Sequence, residues 1–500
     1  MTPRKKKWLK ILATPPLLAC LWLAGVYVVQ LFWNHITVGH DTTFVDGPTR
    51  DGMIDYIAAV NDHFHQGVTP ANNAMTLLIK LRPASAFPPG TDVRERTWAM
   101  LDAGAPTDAY PEIPKLDENP FSTPNEDHFY EHAKSPWVGK DDPKATEYLE
   151  LQERHLALLT EACKRDKFWC PLVQKDPDDM LIVADQSWGY LRGLARALAV
   201  RAMKRLGEHD FAGFREDVRT LHRFGRLVGQ SSSMIGRLVG VAIDAVASQA
   251  ETNAAISGIL TNEQSLALLE DSRSLPAMPK MGDAIDWTER CSALDGVARL
   301  AAHRIAPTGL PYLAWPVRPL PIHYDTIARD MNRWIDRMLA IDGSPAPEKN
   351  AASKKFTAEF EAECVGSPSV AVYGMGTAAA RWWAMNVLLP NMGRVFQLHD
   401  LCIEQENMAR VALVLAAWHA EHHDYPESLS ALPADQLNGC QRDMFRDADL
   451  VYRRTVEGYV LYSVGTNARD DGGKGRKSGA KDADDEVITC PLPQVVDKKE

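Results

Sequence analysis

The longest uncharged run lies near the start of the chain, where Ile11 to Trp33 carries no charge and one amide, Gln30. At about 1.5 Å per residue such a run spans roughly 34 Å, enough for a hydrocarbon layer of about 30 Å. Arg4, Lys5, Lys6, Lys7 and Lys10 precede it, and Trp8, Trp22, Tyr27 and Trp33 place aromatics towards both ends. The pattern predicts a transmembrane helix over 11–33 behind a cytoplasmic basic tail, 1–10. A cleaved signal peptide has a shorter apolar core, about 7–15 residues. Leu17-Leu18-Ala19-Cys20 has the look of a lipoprotein signal, but the apolar run continues past Cys20. The expectation is a single-pass protein of the cytoplasmic (inner) membrane, N-terminus inside. It is attached to the membrane through residues 11–33, and the bulk of the chain is extracytoplasmic.

Beyond the span, polar and apolar positions mark out mostly helices. Residues 34–180 predict short helical pieces, with Thr69-Pro70 as a helix start and irregular structure where prolines recur between 82 and 143. Residues 181–392 predict a helical domain. Leu191, Leu194, Leu198, Ala202 and Leu206 keep helical spacing up to a stop at Gly207. Asp210 then caps a second helix with Phe211, Phe214, Val218, Leu221 and Val228 on one face. So short a turn makes the pair an antiparallel hairpin. Further helices are expected over about 233–258, from the capping box Thr261/Gln264, and over 281–304, 322–341 and 353–362. Residues 367–390, with Trp382-Trp383, are apolar enough for a buried helix or a groove lining. Residues 393–492 form a small α+β module: a long helix to His422, a stop at Asp424-Tyr425-Pro426, and two strands over 449–454 and 458–463. Residues 493–500 are a tail. The fold class is mostly α.

The net charge of −11, with no basic stripe after the N-terminus, argues against a nucleic-acid partner. Seven cysteines follow Cys20. Outside the cytoplasm they are permitted to pair. Cys440 and Cys490 bracket the C-terminal hairpin and are the first candidates, Cys163 and Cys170 the second, and spacing decides neither.

Two resemblances add to this. NNAMTLLIK, the hairpin ending LHRFGRLVG, GRLVGVAIDAVA and the YPESL segment, in that order over about 68–473, resemble large uncharacterised bacterial proteins held by one N-terminal helix. The last hundred residues resemble the type II secretion major pseudopilin. Tyr425-Pro426 matches its post-helix Tyr-Pro, Leu429 and Leu432 its following leucines, and Asp443 the Asp of its Asp-Pro-Trp/Phe segment. Tyr462-Ser463-Val464-Gly465 matches its Ser-Leu-Gly, Asp471-Gly472-Gly473 its acidic turn, and Asp482-Ala483-Asp484 its terminal acidic strand. The pseudopilin resemblance implies a calcium-binding loop. Ca²⁺ takes about six to eight oxygens, and the candidate ligands are Asn467, Asp470, Asp471, Asp482 and Asp484. The chain departs from that family in having Asn467 in place of Asp and Met444 in place of Pro. It also carries the basic insert KGRKSGAK and lacks a prepilin cleavage pattern.

Catalytic signals are sparse. There is no G-x-S-x-G, Walker A or G-x-G-x-x-G sequence. His419 and His423 are four apart and would suit a metal, or simply the negative end of their helix. Asp286 and Glu289 share a helical face, where acid/base work or an ordinary solvated surface is conceivable. The expected function is an envelope scaffold or interaction protein with an unidentified protein partner and a calcium-stabilised loop. Its rival is an envelope hydrolase with a cleft near 287–295 or 374–383. A receptor for an apolar ligand around Trp382 and Trp383 is the third reading.

Overall fold

Apolar side chains recurring every three to four residues need a partner surface, and a computed structural model shows which surfaces they meet. It describes residues 35–112, 126–176, 180–181, 188–302, 322–365, 375–387 and 393–491, with Leu21, Ala24, Gly25 and Val28 from the N-terminal stretch. These residues are mostly helical, with a few small antiparallel sheets.

A two-strand turn, β1 (Thr49–Arg50) against β2 (Met53–Ile54), leads into α1 (Tyr56–Phe64), capped by Asp55. The Thr69-Pro70 segment does not open a helix. Thr69 and Asn72 close a turn on each other, and the helix begins at Met75. Asn73 is occupied elsewhere: its side chain accepts Trp169 N–H and donates to the Trp169 carbonyl, both at 2.9 Å. Those tertiary bonds outweigh the local start signal. Helix α2 (Val93–Leu101) and α3 (Pro143–Ala162) follow, the latter with Asp142 as its cap.

Helices α4 (Gly189–Gly207) and α5 (Phe211–Val228) form the expected hairpin, with Asp210 accepting Gly213 N–H at 2.9 Å. The reversal falls at His209, whose φ is 61°, and not at Gly207. Gly207 stays helical and serves packing, because a Cβ there would lie 2.6 Å from Trp137 N. Helix α6 (Met234–Ile256) starts at the cap Ser233 and packs against α4 and α5. Glycines make the α5–α6 crossing close: a Cβ on Gly225 would lie 2.8 Å from Asp244 Cβ, and one on Gly240 2.7 Å from Gly229 Cα. Helix α7 (Asn262–Arg273) opens on the Thr261/Gln264 capping box, as its sequence predicts.

A π turn at Ile285–Glu289 runs into α8 (Arg290–Ala301), followed by α9 (Tyr324–Asp342), α10 (Ala346–Phe360), α11 (Met375–Val387) and the 30-residue α12 (Gly393–His422). Two large apolar clusters result. One gathers α3–α7 with the C-terminal half of α12 and the segment from Tyr425 to Cys490 that follows it. The other gathers α1, α8, α9 and α11 around Trp334 with Val395 and Phe396 of α12. Helix α12 thus enters both cores, one at each end.

After α12, β3 (Arg442–Asp443) pairs with β4 (Ala448–Asp449). Strands β5 (Val451–Arg454), β6 (Tyr459–Ser463) and β7 (Glu486–Cys490) form an antiparallel sheet in that order, with Val451 opposite Tyr462 and Leu461 opposite Ile488. The final strand lies at 486–490, not at the expected 482–484. Ile488 and Cys490 have a core to face, whereas 482–484 lie in the loop.

Two expectations are corrected. The seven cysteines after Cys20 are all buried and unbridged, and Cys490 Sγ instead sits 3.2 Å from the Tyr425 hydroxyl. No helix among the described residues is long and apolar enough to cross a membrane. Helix α12 has the length, but Asp400, Glu404, Glu406 and Arg410 interrupt it, and such charges are costly in hydrocarbon. The single-pass, inner-membrane placement and the attachment through 11–33 are therefore not carried forward. Apart from Leu21, Ala24, Gly25 and Val28, the span 11–33 lies outside the described residues.

Candidate functional site

The expected calcium ligands do come together, in the loop that joins β6 to β7. Asn467 organises it, donating from Nδ2 to Asp471 Oδ2 (2.9 Å) and to the Asp482 carbonyl (3.0 Å). Asp471 Oδ2 also accepts Asp484 N–H at 3.3 Å, and Arg469 sits on Oδ1 at 2.7 Å. Asn467 and Arg469 together hold the Asp471 carboxyl below its ordinary range. Asp484 Oδ2 accepts from the Thr466 hydroxyl (2.7 Å) and Asn467 N–H (3.2 Å), with the Arg476 guanidinium 3.8 Å away. Asp470 is turned to the Tyr462 hydroxyl and Gly472 N–H.

Asp485, absent from the sequence-derived set, is the most deeply placed of these carboxylates. It accepts N–H bonds from Asp471, Gly473 and Lys474, and burial raises its pKa. The DADDE run marked the acidic stretch but not which of its residues turns inward. Among the described residues of the loop, Asp484 Oδ1 alone is buried without a hydrogen-bond partner. Calcium requires oxygens converging on one point. These oxygens converge instead on N–H donors and two guanidinium groups, and among the described residues no group of three or more His, Cys, Asp or Glu could hold a metal. As folded, the loop closes on itself, its carboxylates engaged by N–H donors and guanidinium groups.

A second cluster lies at the centre of the helices. Asp244, Ser248 and Glu251 share a face of α6, and all three are buried. His222 of α5 spans the outer two, with Nδ1 2.8 Å from Asp244 Oδ1 and Nε2 3.4 Å from Glu251 Oε2. One turn along α5, Arg226 pairs with Asp244 and, at 2.8 Å, with Glu406 of α12. Arg410 closes the far side on Glu406 at 2.6 Å and on Ser272. Cys402 donates to Asp244 Oδ2 at 3.4 Å. Burial alone would lower the His222 pKa, but Glu251 and Asp244 outweigh it and raise the value to about 10. Burial likewise opposes ionisation of Asp244, yet His222 and Arg226 bring its pKa below normal. Three cations face three carboxylates, and the imidazole is held as the charged form, with Nδ1 hydrogen-bonded to Asp244 and Nε2 within ion-pair reach of Glu251. It has no lone pair with which to act as a base. The sequence signal was available as three i, i+4 pairs on apolar-faced helices (His222/Arg226, Asp244/Ser248, Glu406/Arg410). Nothing in one helix, however, reveals that its charges face inward.

The remaining candidates have structural roles. Asp286 holds Arg290 at 2.6 Å, and Glu289 accepts Met234 N–H at the start of α6. His422 stacks on Trp418, and His419 stacks on Tyr425. His423 is the left-handed residue that ends α12. Trp383 is buried in the second core and Trp382 packs against it. Gly374 lies outside the described residues. Compared with protein-family models, with curated proteins and with solved structures, the chain gives no match.

Proposed function

We propose that this chain acts without catalysis, as a scaffold or interaction protein whose helical body carries a C-terminal α+β module. The observation that carries this reading is that the charges of the central cluster and of the Asp286/Glu289 face are paired within the fold. His222 is bracketed by carboxylates, Arg226 and Arg410 share Glu406, and Asp286 and Glu289 are occupied by Arg290 and a helix start. A general acid or base must have a proton site available to substrate, and each of these groups has its partner inside the fold. Purified full-length protein is expected to hydrolyse p-nitrophenyl esters, phosphates and glycosides no faster than buffer. Turnover that disappears in Asp286→Asn or Glu289→Gln would favour the hydrolase.

The pseudopilin-like order of the module (long helix, Tyr425-Pro426 turn, hairpin, acidic loop, last strand) supports a proposal about its loop. Calcium enters only by displacing Arg469 from Asp471, and the unpartnered Asp484 Oδ1 supplies one oxygen of the new set. Binding to the native state stabilises by about 2.7 kcal/mol at a hundredfold excess over Kd. Arg469→Ala is therefore expected to raise the calcium-dependent increase in melting temperature above that of the parent. Asp471→Ala with Asp484→Ala should abolish it. Identical melts in calcium and in chelator for both the parent and Arg469→Ala would remove calcium from the reading.

A further inference from the structure

A cleft of about 560 Å³ lies where the C-terminal end of α3 meets the outer face of α5. Lys164, just past α3, stands on one side, and Phe211, Arg215, Arg219 and Arg223 of α5 stand on the other. The three arginines recur at i, i+4 and i+8, so they share one face of the helix and rise about 6 Å from each to the next. The helix thus carries two sets of cations. His222 and Arg226 are buried in the central cluster, whereas Arg219 and Arg223 are exposed.

The cations of the cleft are unevenly paired. Arg215 is held by Asp271 of α7 at 2.5 Å, and Arg219 reaches the same carboxylate only at 3.8 Å. Lys164 meets Glu161 at 2.8 Å, with both side chains more than half exposed. Such a pair contributes little and gives up its cation readily. Arg223 makes no ion pair among the described residues. Glu216 is the one carboxylate among the described residues of the wall. Even with Glu161 and Asp271 counted, four cations stand against three carboxylates, on a chain whose net charge is −11.

That excess selects the ligand. A cation would meet Arg223 and Arg219, and a neutral molecule would leave Arg223 without a counter-charge. A phosphate monoester carries about −1.5 to −2 at pH 7 and offers three acceptor oxygens. It can engage two guanidinium groups and an ammonium together. Phe211, half-buried, adds aromatic surface to the same wall. We propose that this cleft binds a small organic phosphate, its phosphoryl oxygens accepting from Arg219, Arg223 and Lys164 and its body lying against Phe211. The volume falls in the range of small-molecule sites. The ligand adds a binding function to the scaffold and ties the end of α3 to α5.

Calorimetric titration of the full-length protein at low ionic strength tests this, with phenyl phosphate and adenosine 5′-monophosphate as probes. Phenol and adenosine are the neutral controls, and inorganic phosphate separates the free ion from its esters. Saturable binding of at least one ester, with its neutral control at least about tenfold weaker, is expected from charge-assisted hydrogen bonds. Inorganic phosphate should bind at least about threefold more weakly than that ester, because it has no body to lie against Phe211. Arg219→Gln and Arg223→Gln should each weaken the ester by roughly three- to tenfold. Both side chains are exposed, so the melt without probe should stay near that of the parent. Failure of both esters to saturate would overturn the proposal, as would equal binding of an ester and its neutral control. Inorganic phosphate binding as tightly as the esters would overturn the organic ligand. Ester binding unchanged in both variants would also overturn the proposal, assigning the signal to the basic residues between 4 and 10.

Discussion

Asp244→Ala should destabilise the protein by about 3–5 kcal/mol, measured as a fall in the urea midpoint at pH 7. That is the usual cost of removing one partner from a buried ion network. The carboxylate is fully buried and serves His222, Arg226 and Cys402 together. Its loss leaves an imidazolium and a guanidinium sharing only Glu251 and Glu406. His222→Ala should cost a similar amount, because it removes the cation that pairs with the buried Glu251 and one of the two that pair with Asp244. Loss of both residues together should cost much less than the sum of the single losses, since the pair is a single unit. Fully additive costs would mean the cluster is not a network. The pH dependence has a definite sign. The folded His222 pKa, about 10, lies above its ordinary 6.5. Its contribution is therefore complete below about pH 6.5 and is lost as pH rises through about 10. Acid down to the carboxylate range leaves this part of the core intact.

Glu404 carries the second large effect, in the opposite direction from a stabilising carboxylate. It lies on α12, fully buried, where burial and then the neighbouring Asp443 raise its pKa from 4.5 to about 8. Asp443 is itself the anchor of the module: it accepts Ser463 Oγ and Phe445 N–H at 3.0 Å and Val464 N–H at 2.9 Å. A folded pKa above the unfolded one means the folded state holds the proton more tightly. Stability is then greatest below about pH 4.5 as far as this group is concerned, and falls as pH rises to about 8. One such proton changes stability by at most about 1.4 kcal/mol per pH unit, or a few kcal/mol across the interval. Glu404→Gln should remove that slope and make the variant more stable than the parent at pH 8–9, read from urea midpoints between pH 5 and 9. Parallel pH profiles for parent and variant would show that Glu404 does not carry the proton.

Asp443 also marks how far a sequence can be read. The pseudopilin likeness drew attention to it, and its position after the long helix was legible. Its task of pinning β6 to the β3–β4 turn was not, because the groups it binds lie about twenty residues on, across a turn. The acidic loop repeats the lesson. Asn467, Asp471 and Asp484 were marked as neighbours and are neighbours, but the polarity of their meeting was decided by Arg469, which the acidic pattern left out of account.

What the sequence by itself determined is local. The cap Asp210, the Thr261/Gln264 box, the apolar stripe of α5 and the β5–β6 hairpin all rest on bonds or periodicities within a few residues, which backbone geometry enforces wherever the segment sits. Only the tertiary structure decided that α12 enters both cores. It alone decided that Asp244 and Glu251 face inward and that β7 lies beside β6. Each of those outcomes depends on partners far along the chain, as with Arg226 and Glu406, 180 residues apart. A charged residue on an amphipathic helix carries the same local signature whether it meets water or an opposite charge. The difference arises when the helices pack, because burial makes an unpaired charge costly and a paired one tolerable.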